Sequence, residues 1–303
     1  MATKLFYNSL ILILCRYCVL GQAMSSKPSM ISPLEAMKAM IRKRMKDIKY
    51  KLAIISGKGG VGKSFIAASL ALRLKERGRE VAILDADIHG PSIPKIMGIR
   101  GASMYVNPQG DLLPVISPSG VAVISIELLM TNPDLPVIWR GPLKGKVISE
   151  FLSKVSWGKL DYLIIDLPPG TGDEALTIGQ ILPDLSGAII VTAPSDLSKI
   201  VVKKAAIFCR ELGIRILGIV ENMSIFTCPH CGATYKLFGS GVGESMAKEL
   251  GVEFLGSIPL DPRIPEAMDK GELHKALGSN SIVTTFIDKI IDRIEKILGE
   301  ISK

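Results

Sequence analysis

Histidine is nearly missing from this chain, three in 303 residues. His89, isolated in a loop, reads as a loop residue rather than a ligand. Apolar runs of membrane length are missing too. Leu10 to Leu14 near the start is far shorter than the twenty or so residues a bilayer requires. Cysteine is held to five residues, and nowhere do four stand together as one tetrahedral zinc site or one iron–sulfur cubane would require. Cys15 and Cys18 form a C-x-x-C inside an apolar segment without a second pair, and Cys209 falls on a helical stretch as a core thiol. A basic bias is absent over most of the length. The formal charge is +8, but residues 1–50 hold nine Lys and Arg against two Asp and Glu, and the remainder is close to neutral. The alkaline pI is therefore no argument for nucleic-acid binding.

What is present is an ample apolar fraction, 48%, in a length that suits one large α/β domain or two small ones. The chain is organised around Ser56-Gly57-Lys58-Gly59-Gly60-Val61-Gly62-Lys63-Ser64. An apolar run, Leu52 to Ile55, precedes it, and a helical pattern from Phe65 to about Arg77 follows. Strand, glycine-rich turn and helix is the context in which G-x-x-x-x-G-K-[ST] is a phosphate site. Backbone N–H groups of Gly57, Gly59, Gly60, Val61 and Gly62 can converge on phosphate oxygens at the positive end of that helix. Lys63 reaches the β- and γ-phosphates of ATP, and the Ser64 hydroxyl ligates Mg²⁺.

Further acids fit this centre. Glu80 to Leu84 reads as a second buried strand ending in Asp85-Ala86-Asp87, and carboxylates at the C-terminal end of a parallel strand face the ligand crevice of an open α/β sheet. Leu160 to Ile165 runs into Asp166, the Walker B pattern, placing Asp166 on Mg²⁺ through water. Leu167-Pro168-Pro169-Gly170-Thr171-Gly172-Asp173 follows as a switch loop, stiff at its prolines and free at its glycines.

The second lysine of the loop, Lys58, resembles the deviant Walker A of the dimeric ATPases related to MinD, ParA and the nitrogenase iron protein. That resemblance implies an α/β P-loop NTPase with a mostly parallel twisted sheet and helices on both faces. It implies that Lys58 crosses a homodimer interface to the partner's nucleotide, that Asp87 positions the attacking water, and that Asp85 holds the Mg²⁺ shell. It also makes Asn222, at the end of the strand Ile214 to Glu221, the reader of the adenine edge.

Elsewhere, residues 1–50 form an N-terminal extension ahead of an ATPase domain spanning 51–303. Gly21-Gln22-Ala23 looks like a signal-peptidase site, but an ATP-dependent enzyme gains nothing from export, so residues 1–23 are expected to be an over-long start with Met24 as initiator. Ser32-Pro33-Leu34-Glu35 is a capping box opening a basic amphipathic helix over 32–48 that carries Met37, Met40, Ile41, Met45 and Ile48. A hairpin is expected at Met104 to Val115, strands at Val121 to Ile126 and Ser186 to Thr192, and helices over Leu197 to Leu212 and, entered from Val137 to Arg140 through Gly141-Pro142, ending near Val155. The apolar repeat Ile282, Phe286, Ile290, Ile294, Ile297 makes a closing helix. From Asp288 to Lys303 it has four acids and four bases, so it packs on the sheet rather than on a membrane.

Cys228-Pro229-His230-Cys231 remains. A thioredoxin-type pair would stand at a helix N-terminus after the first strands, which does not fit. A shared iron–sulfur cluster, a bridging zinc and a redox pair stay open on the residues alone. Two thiolates per chain become four across a twofold axis. Together the loop around Lys58, Gly90-Pro91-Ser92, Asp166 to Asp173, Glu221-Asn222-Met223-Ser224 and Cys228 to Cys231 resemble the Mrp/ApbC family of iron–sulfur cluster carriers. The resemblance implies a cytoplasmic homodimeric ATPase that holds a 4Fe–4S cluster between its Cys228 and Cys231 pairs and passes it to apoproteins, with no nucleic-acid or membrane partner. The small N-terminal domain of many bacterial members has no counterpart in the fifty residues here. A positioning ATPase of the MinD/ParA kind, the alternative with Cys228 and Cys231 on a structural bridging zinc, would share the loop but would carry a basic C-terminal helix or a DNA-binding face, neither of which is evident, and a reductase like the nitrogenase iron protein has its cluster cysteines far apart in sequence.

Overall fold

The computed structural model describes residues 32–134, 139, 141–228, 230–278 and 281–301. The expectations for Met24, Cys15, Cys18 and most of Val137 to Arg140 lie outside the described residues. Contacts divide the chain into Met1–Ala36 and Met37–Lys303. In the first, the capping box forms: Ser32 N–H donates to Glu35 Oε2 (3.0 Å) and Glu35 N–H to Ser32 Oγ (3.2 Å).

The elements in order are α1 (Pro33–Met45), β1 (Ile48–Ile55), α2 (Lys63–Glu76), β2 (Val81–Asp85), α3 (Ile93–Ile96), β3 (Tyr105–Val106), β4 (Leu112–Leu113), β5 (Val115–Ile116), β6 (Ala122–Ile124), a 3₁₀ turn (Ile126–Leu129), α4 (Gly141–Lys154), β7 (Leu160–Asp166), α5 (Asp173–Ile181), β8 (Gly187–Thr192), α6 (Asp196–Glu211), β9 (Ile216–Glu221), β10 (Phe226–Thr227), β11 (Thr234–Tyr235), α7 (Val242–Leu250), β12 (Phe254–Ser257), α8 (Arg263–Asp269), α9 (Leu273–Ala276) and α10 (Ile282–Ile301). Eight strands form one sheet in the order β12-β9-β8-β1-β7-β2-β6-β5, parallel throughout except for β5 against β6. The expected hairpin is β3 with β4, antiparallel through Tyr105–Leu113 and Val106–Leu112.

The sequences of the inner strands explain their place. Val81-Ala82-Ile83-Leu84-Asp85 and Gly187-Ala188-Ile189-Ile190-Val191-Thr192 are buried at every position. Unbroken apolar runs rather than alternating ones are what a parallel sheet covered on both faces requires. Each Ile, Leu or Val removed from water there contributes about 1.5–3 kcal/mol before conformational entropy is charged against it. β1 is central, flanked by β7 and β8, so the loop leaving its C-terminal end opens where the chain winds outward in both directions.

Two helices differ from their expected faces. α1 ends at Met45, three residues early, because Ile48 already pairs with Leu160 in the sheet; Ile41 and Met45 are buried while Met40 is 48% exposed. In α10 the buried stripe is Val283, Ile287, Ile290, Ile291, Ile294 and Leu298, with Ile282 56% exposed. The stripe is turned by one position at the helix start, and the sequence repeat had marked its edge. Arg73 and Arg77 pair with Asp288, and Arg79 with Glu295, fastening α10 to the domain.

Candidate functional site

The loop after β1 turns under the N-terminus of α2. Gly62 adopts φ +85°, the left-handed region where a side chain is strained, and a Cβ there would stand 2.1 Å from Asn222 Nδ2. Gly57 is constrained by approach instead: a Cβ would meet the Val201 carbonyl oxygen at 2.3 Å. No side chain caps α2, so its first-turn N–H groups are free for an anion. The loop faces an open cleft of about 470 Å³ lined by Ser56, Gly59 through Phe65, Asp87, Ser92, Lys95, Ile96, Pro169, Met268 and Asp269. The switch loop is fastened to it, with Gly170 N–H donating to the Ser56 carbonyl (2.8 Å).

Two buried carboxylates, Asp85 and Asp166, flank Lys63, with Asp87 on the cleft wall beyond them. Lys63 Nζ donates to Asp166 Oδ1 at 2.5 Å, lysine 7% and aspartate 0% exposed, and lies 3.4 Å from Ser64 Oγ. Asp85 is fully buried and accepts from Asp87 N–H (3.2 Å), Ile93 N–H (3.3 Å) and the Ser125 hydroxyl (3.2 Å). Burial drives both carboxyls above the usual range. Asp166 raises Asp85 further while Lys63 opposes, and Lys63 and Ser64 likewise moderate Asp166. Asp87 is half-buried on the cleft wall and accepts the Gly90 N–H (3.1 Å). Asp166 Oδ2 is buried without a hydrogen-bond partner. An orphaned carboxylate oxygen beside a serine hydroxyl is a donor set that suits a hard divalent cation such as Mg²⁺.

Lys58 points away from Lys63: its Nζ donates to Ser195 Oγ (3.2 Å), which is hydrogen-bonded to Ser198 Oγ (2.7 Å) at the start of α6. Asn222 stands behind the loop, where its Nδ2 donates to the Val61 carbonyl (3.0 Å) and its N–H to Thr192 O (2.8 Å). The expected phosphate residues are thus brought together, with Lys58 and Asn222 on the loop's flanks.

The cysteines are on a separate element. β10 and β11 form a two-residue ladder, Phe226–Tyr235 and Thr227–Thr234, with Cys228 N–H donating to Ala233 O (2.9 Å) and Gly232 N–H to Cys228 O (2.9 Å). Backbone N–H groups of Cys231 and His230, and the Cys231 side chain, hold the Cys228 thiol below its ordinary value. Cys228 is half-buried and Cys231 exposed. Among the described residues no group of three or more His, Cys, Asp or Glu could hold a metal. Cys209 is buried in α6, its thiol pushed up to about 12 by burial.

Sequence reasoning missed Ser125 and Ser195, and quoted Glu221 only within Glu221-Asn222-Met223-Ser224, without a role. The two serines carry no local signal, because each meets its partner from the end of a neighbouring strand distant in sequence. Glu221 had one, an acid closing an apolar strand, yet its 1% exposure and its acceptance of Gly241 and Gly243 N–H groups come only from the fold.

Comparison with known proteins sets the site in context. The model of the ParA group described as NUBPL iron-transfer P-loop NTPase matches residues 47–295. A protein of Methanocaldococcus jannaschii called iron-sulfur cluster carrier protein is 52% identical over 86% of this chain and 90% of its own length. One of the same name from Saccharolobus solfataricus is 48% identical, over 88% of this chain and 89% of its own. Among solved structures, a nucleotide-binding protein of Archaeoglobus fulgidus in complex with ADP, in which cobalt was found, superposes with a TM-score of 0.70 at 40% identity, covering 78% of this chain and 93% of that one.

Proposed function

Since the chain belongs to the NUBPL iron-transfer P-loop NTPase family, we propose that it is an ATPase that carries a 4Fe–4S cluster at the interface of a homodimer and delivers it to apoproteins. The observation that carries this reading is the Cys228–Cys231 turn. It presents two thiols, one with a lowered pKa, on an exposed hairpin of a chain whose described residues hold no third ligand nearby. Two copies facing one another supply the four thiolates that a cubane takes. The relatives named as cluster carriers support the same cargo. Among the described residues the hairpin has no closed four-ligand cage of the structural-zinc kind.

ATP chemistry belongs to the opposite group of residues. N–H groups of Gly59 to Ser64 and the α2 terminus hold phosphate oxygens, and Lys63 exchanges Asp166 for the β/γ-phosphates. Ser64, with Asp85 and Asp166 behind it, suits Mg²⁺, which when bound neutralises charge on the phosphates. Asp87, on the cleft wall, orients the attacking water. Lys58 leaves Ser195 to meet the nucleotide of the second copy. Asn222 Oδ1 is left to accept from the adenine edge while Nδ2 holds the loop. No described helix is long and apolar enough to cross a membrane, and a reducing cytoplasm would keep both thiols available.

The test is transfer. Anaerobically loaded protein mixed with an apo-ferredoxin should restore the acceptor's visible absorbance, and Cys228→Ser or Cys231→Ser protein treated alike should not. Transfer at the wild-type rate from either variant would overturn the reading.

A further inference from the structure

Two adjacent side chains at the end of β9 face two different parts of the molecule. Asn222 reaches the phosphate loop: Nδ2 donates to Val61 O, and it fills the space a Cβ on Gly62 would need. Glu221, 1% exposed, turns the other way and receives two N–H groups, Gly241 to Oε1 (3.1 Å) and Gly243 to Oε2 (2.7 Å). Gly241, at φ +79°, is the residue from which α7 starts, and a Cβ on Gly243 would stand 2.8 Å from Glu221 Cβ. Between these anchors, residues 223–240 are the cysteine hairpin with its two stems.

The entry stem is held rigidly. Met223 takes φ +57°, one of two non-glycine described residues at positive φ. Ser224 N–H and hydroxyl both donate to Ile258 O (3.0 and 3.1 Å), and Leu260 N–H donates to Ile225 O (2.7 Å). At the exit stem a Cβ on Gly239 would meet Pro194 O at 2.8 Å, directly before the Ser195 that receives Lys58. The entry stem thus begins next to Asn222, and the exit stem packs one residue before Ser195, both of which hydrogen-bond to the phosphate loop. The hairpin itself has only a two-residue ladder, so its geometry is set by the stems rather than by its own pairing.

We propose that Glu221 is a positioning residue that locks the base of the Cys228–Cys231 hairpin to β9, so that a change at the phosphate loop, received by Asn222, alters the exposure of the two thiols. A carboxylate can accept both N–H groups, one on each oxygen, and so clamps the exit stem to the strand that carries the entry stem. Glutamine, of the same shape, offers one oxygen and must turn an NH₂ toward the other donor. The inference rests on the cluster-carrier reading only for its purpose, since the linkage itself concerns thiols without cargo.

The experiment uses the full chain, cluster-free and reduced, and measures alkylation rates of Cys228 and Cys231 by mass spectrometry of iodoacetamide-treated protein. Each measurement is made without nucleotide and with saturating Mg-ADP, occupancy being checked by calorimetry. In the wild type the nucleotide should change the rate at one or both cysteines by about fivefold or more, the lower end of typical coupling between sites. Glu221→Gln should reduce that change to less than about twofold while Mg-ADP still binds, because Glu221 does not line the cleft. A residue with a merely structural role would lower the melting temperature and leave the nucleotide response in place. Glu221→Asp, which keeps the charge but is too short to reach both N–H groups, serves as a second variant and should also lose the response. A wild type indifferent to Mg-ADP, or a Glu221→Gln response equal to that of the wild type, overturns the proposal. Failure of the carrier reading would show separately, as thiols that respond to nucleotide in a protein that takes up no iron.

Discussion

The phosphate cleft and the cysteine hairpin are built on opposite principles. At the cleft, Lys63, Asp85 and Asp166 are almost wholly buried, two of the carboxyls are held above their usual range, and the loop is fixed by Asn222 and the switch loop. At the hairpin, four strand residues support one half-buried and one exposed thiol, fastened to the domain through the stems and a Phe226–Leu260 bridge. A buried charge cluster costs stability in the empty protein and regains it from the right ligand, which suits a site that binds and reacts. Exposed thiolates hold a metal cluster accessibly and let it leave, which suits cargo. On the proposed reading, resident chemistry is placed inside and transferred chemistry outside.

Breaking the inside should have the largest effect. Lys63→Ala removes the cation shared by Asp166 and the phosphates. With charge-assisted hydrogen bonds at about 1.5–3 kcal/mol each, Mg-ATP affinity should fall about a hundredfold or more by calorimetry. An affinity within a few-fold of wild type would show that Lys63 stays on Asp166 when nucleotide binds.

Asp87→Asn separates binding from chemistry at the same cleft. Single-turnover hydrolysis should slow by about a hundredfold, the range for a group acting on proton transfer or water orientation, while Mg-ATP affinity stays nearly unchanged. Equal rates in the two proteins would remove Asp87 from the reaction.

Asp85 sharpens the cost side of the comparison. Its folded pKa is raised, so its share of stability is full below the unfolded value near 3.9 and is lost as pH rises through the folded one. The empty protein should therefore lose stability across that window, and Asp85→Asn should flatten the loss and raise the neutral-pH melting temperature by about 2–4 °C per kcal/mol recovered. A melting temperature that falls in Asp85→Asn at neutral pH would mean that its three accepted hydrogen bonds outweigh its burial.

The smallest contrast is between thiols. Cys209→Ser places a hydroxyl in the core and should lower the melting temperature by a few degrees with cluster loading intact. Cys228→Ser should leave the melting temperature within about two degrees and abolish loading. Matching behaviour in the two variants would erase the distinction between buried and presented sulfur.

Much of the cleft was legible in the chain because its parts are local: a strand, a glycine turn, a helix, and acids ending apolar runs. The same locality gave the β3–β4 hairpin and the Ser32–Glu35 box. The linkage between cleft and hairpin was not legible. Ser125 reaches Asp85 and Ser195 receives Lys58 from the ends of neighbouring strands far apart in the chain, and no spacing in the sequence records which residues meet there. On α10 the expected repeat failed only at Ile282, since Ile290 and Ile294 are buried and Phe286 and Ile297 pack on the core; Ile282 and Val283 are equally apolar, and only packing chooses between them.

The most direct test of the account is a count of metal and protein together. Anaerobically reconstituted protein, weighed by native mass spectrometry and assayed for iron, sulfide and zinc, should be a dimer with one cubane, about two irons and two sulfides per chain. Cys228→Ser protein should hold almost none. A monomer with a complete cluster, full loading of Cys228→Ser, or a stoichiometric zinc that iron does not displace would contradict it.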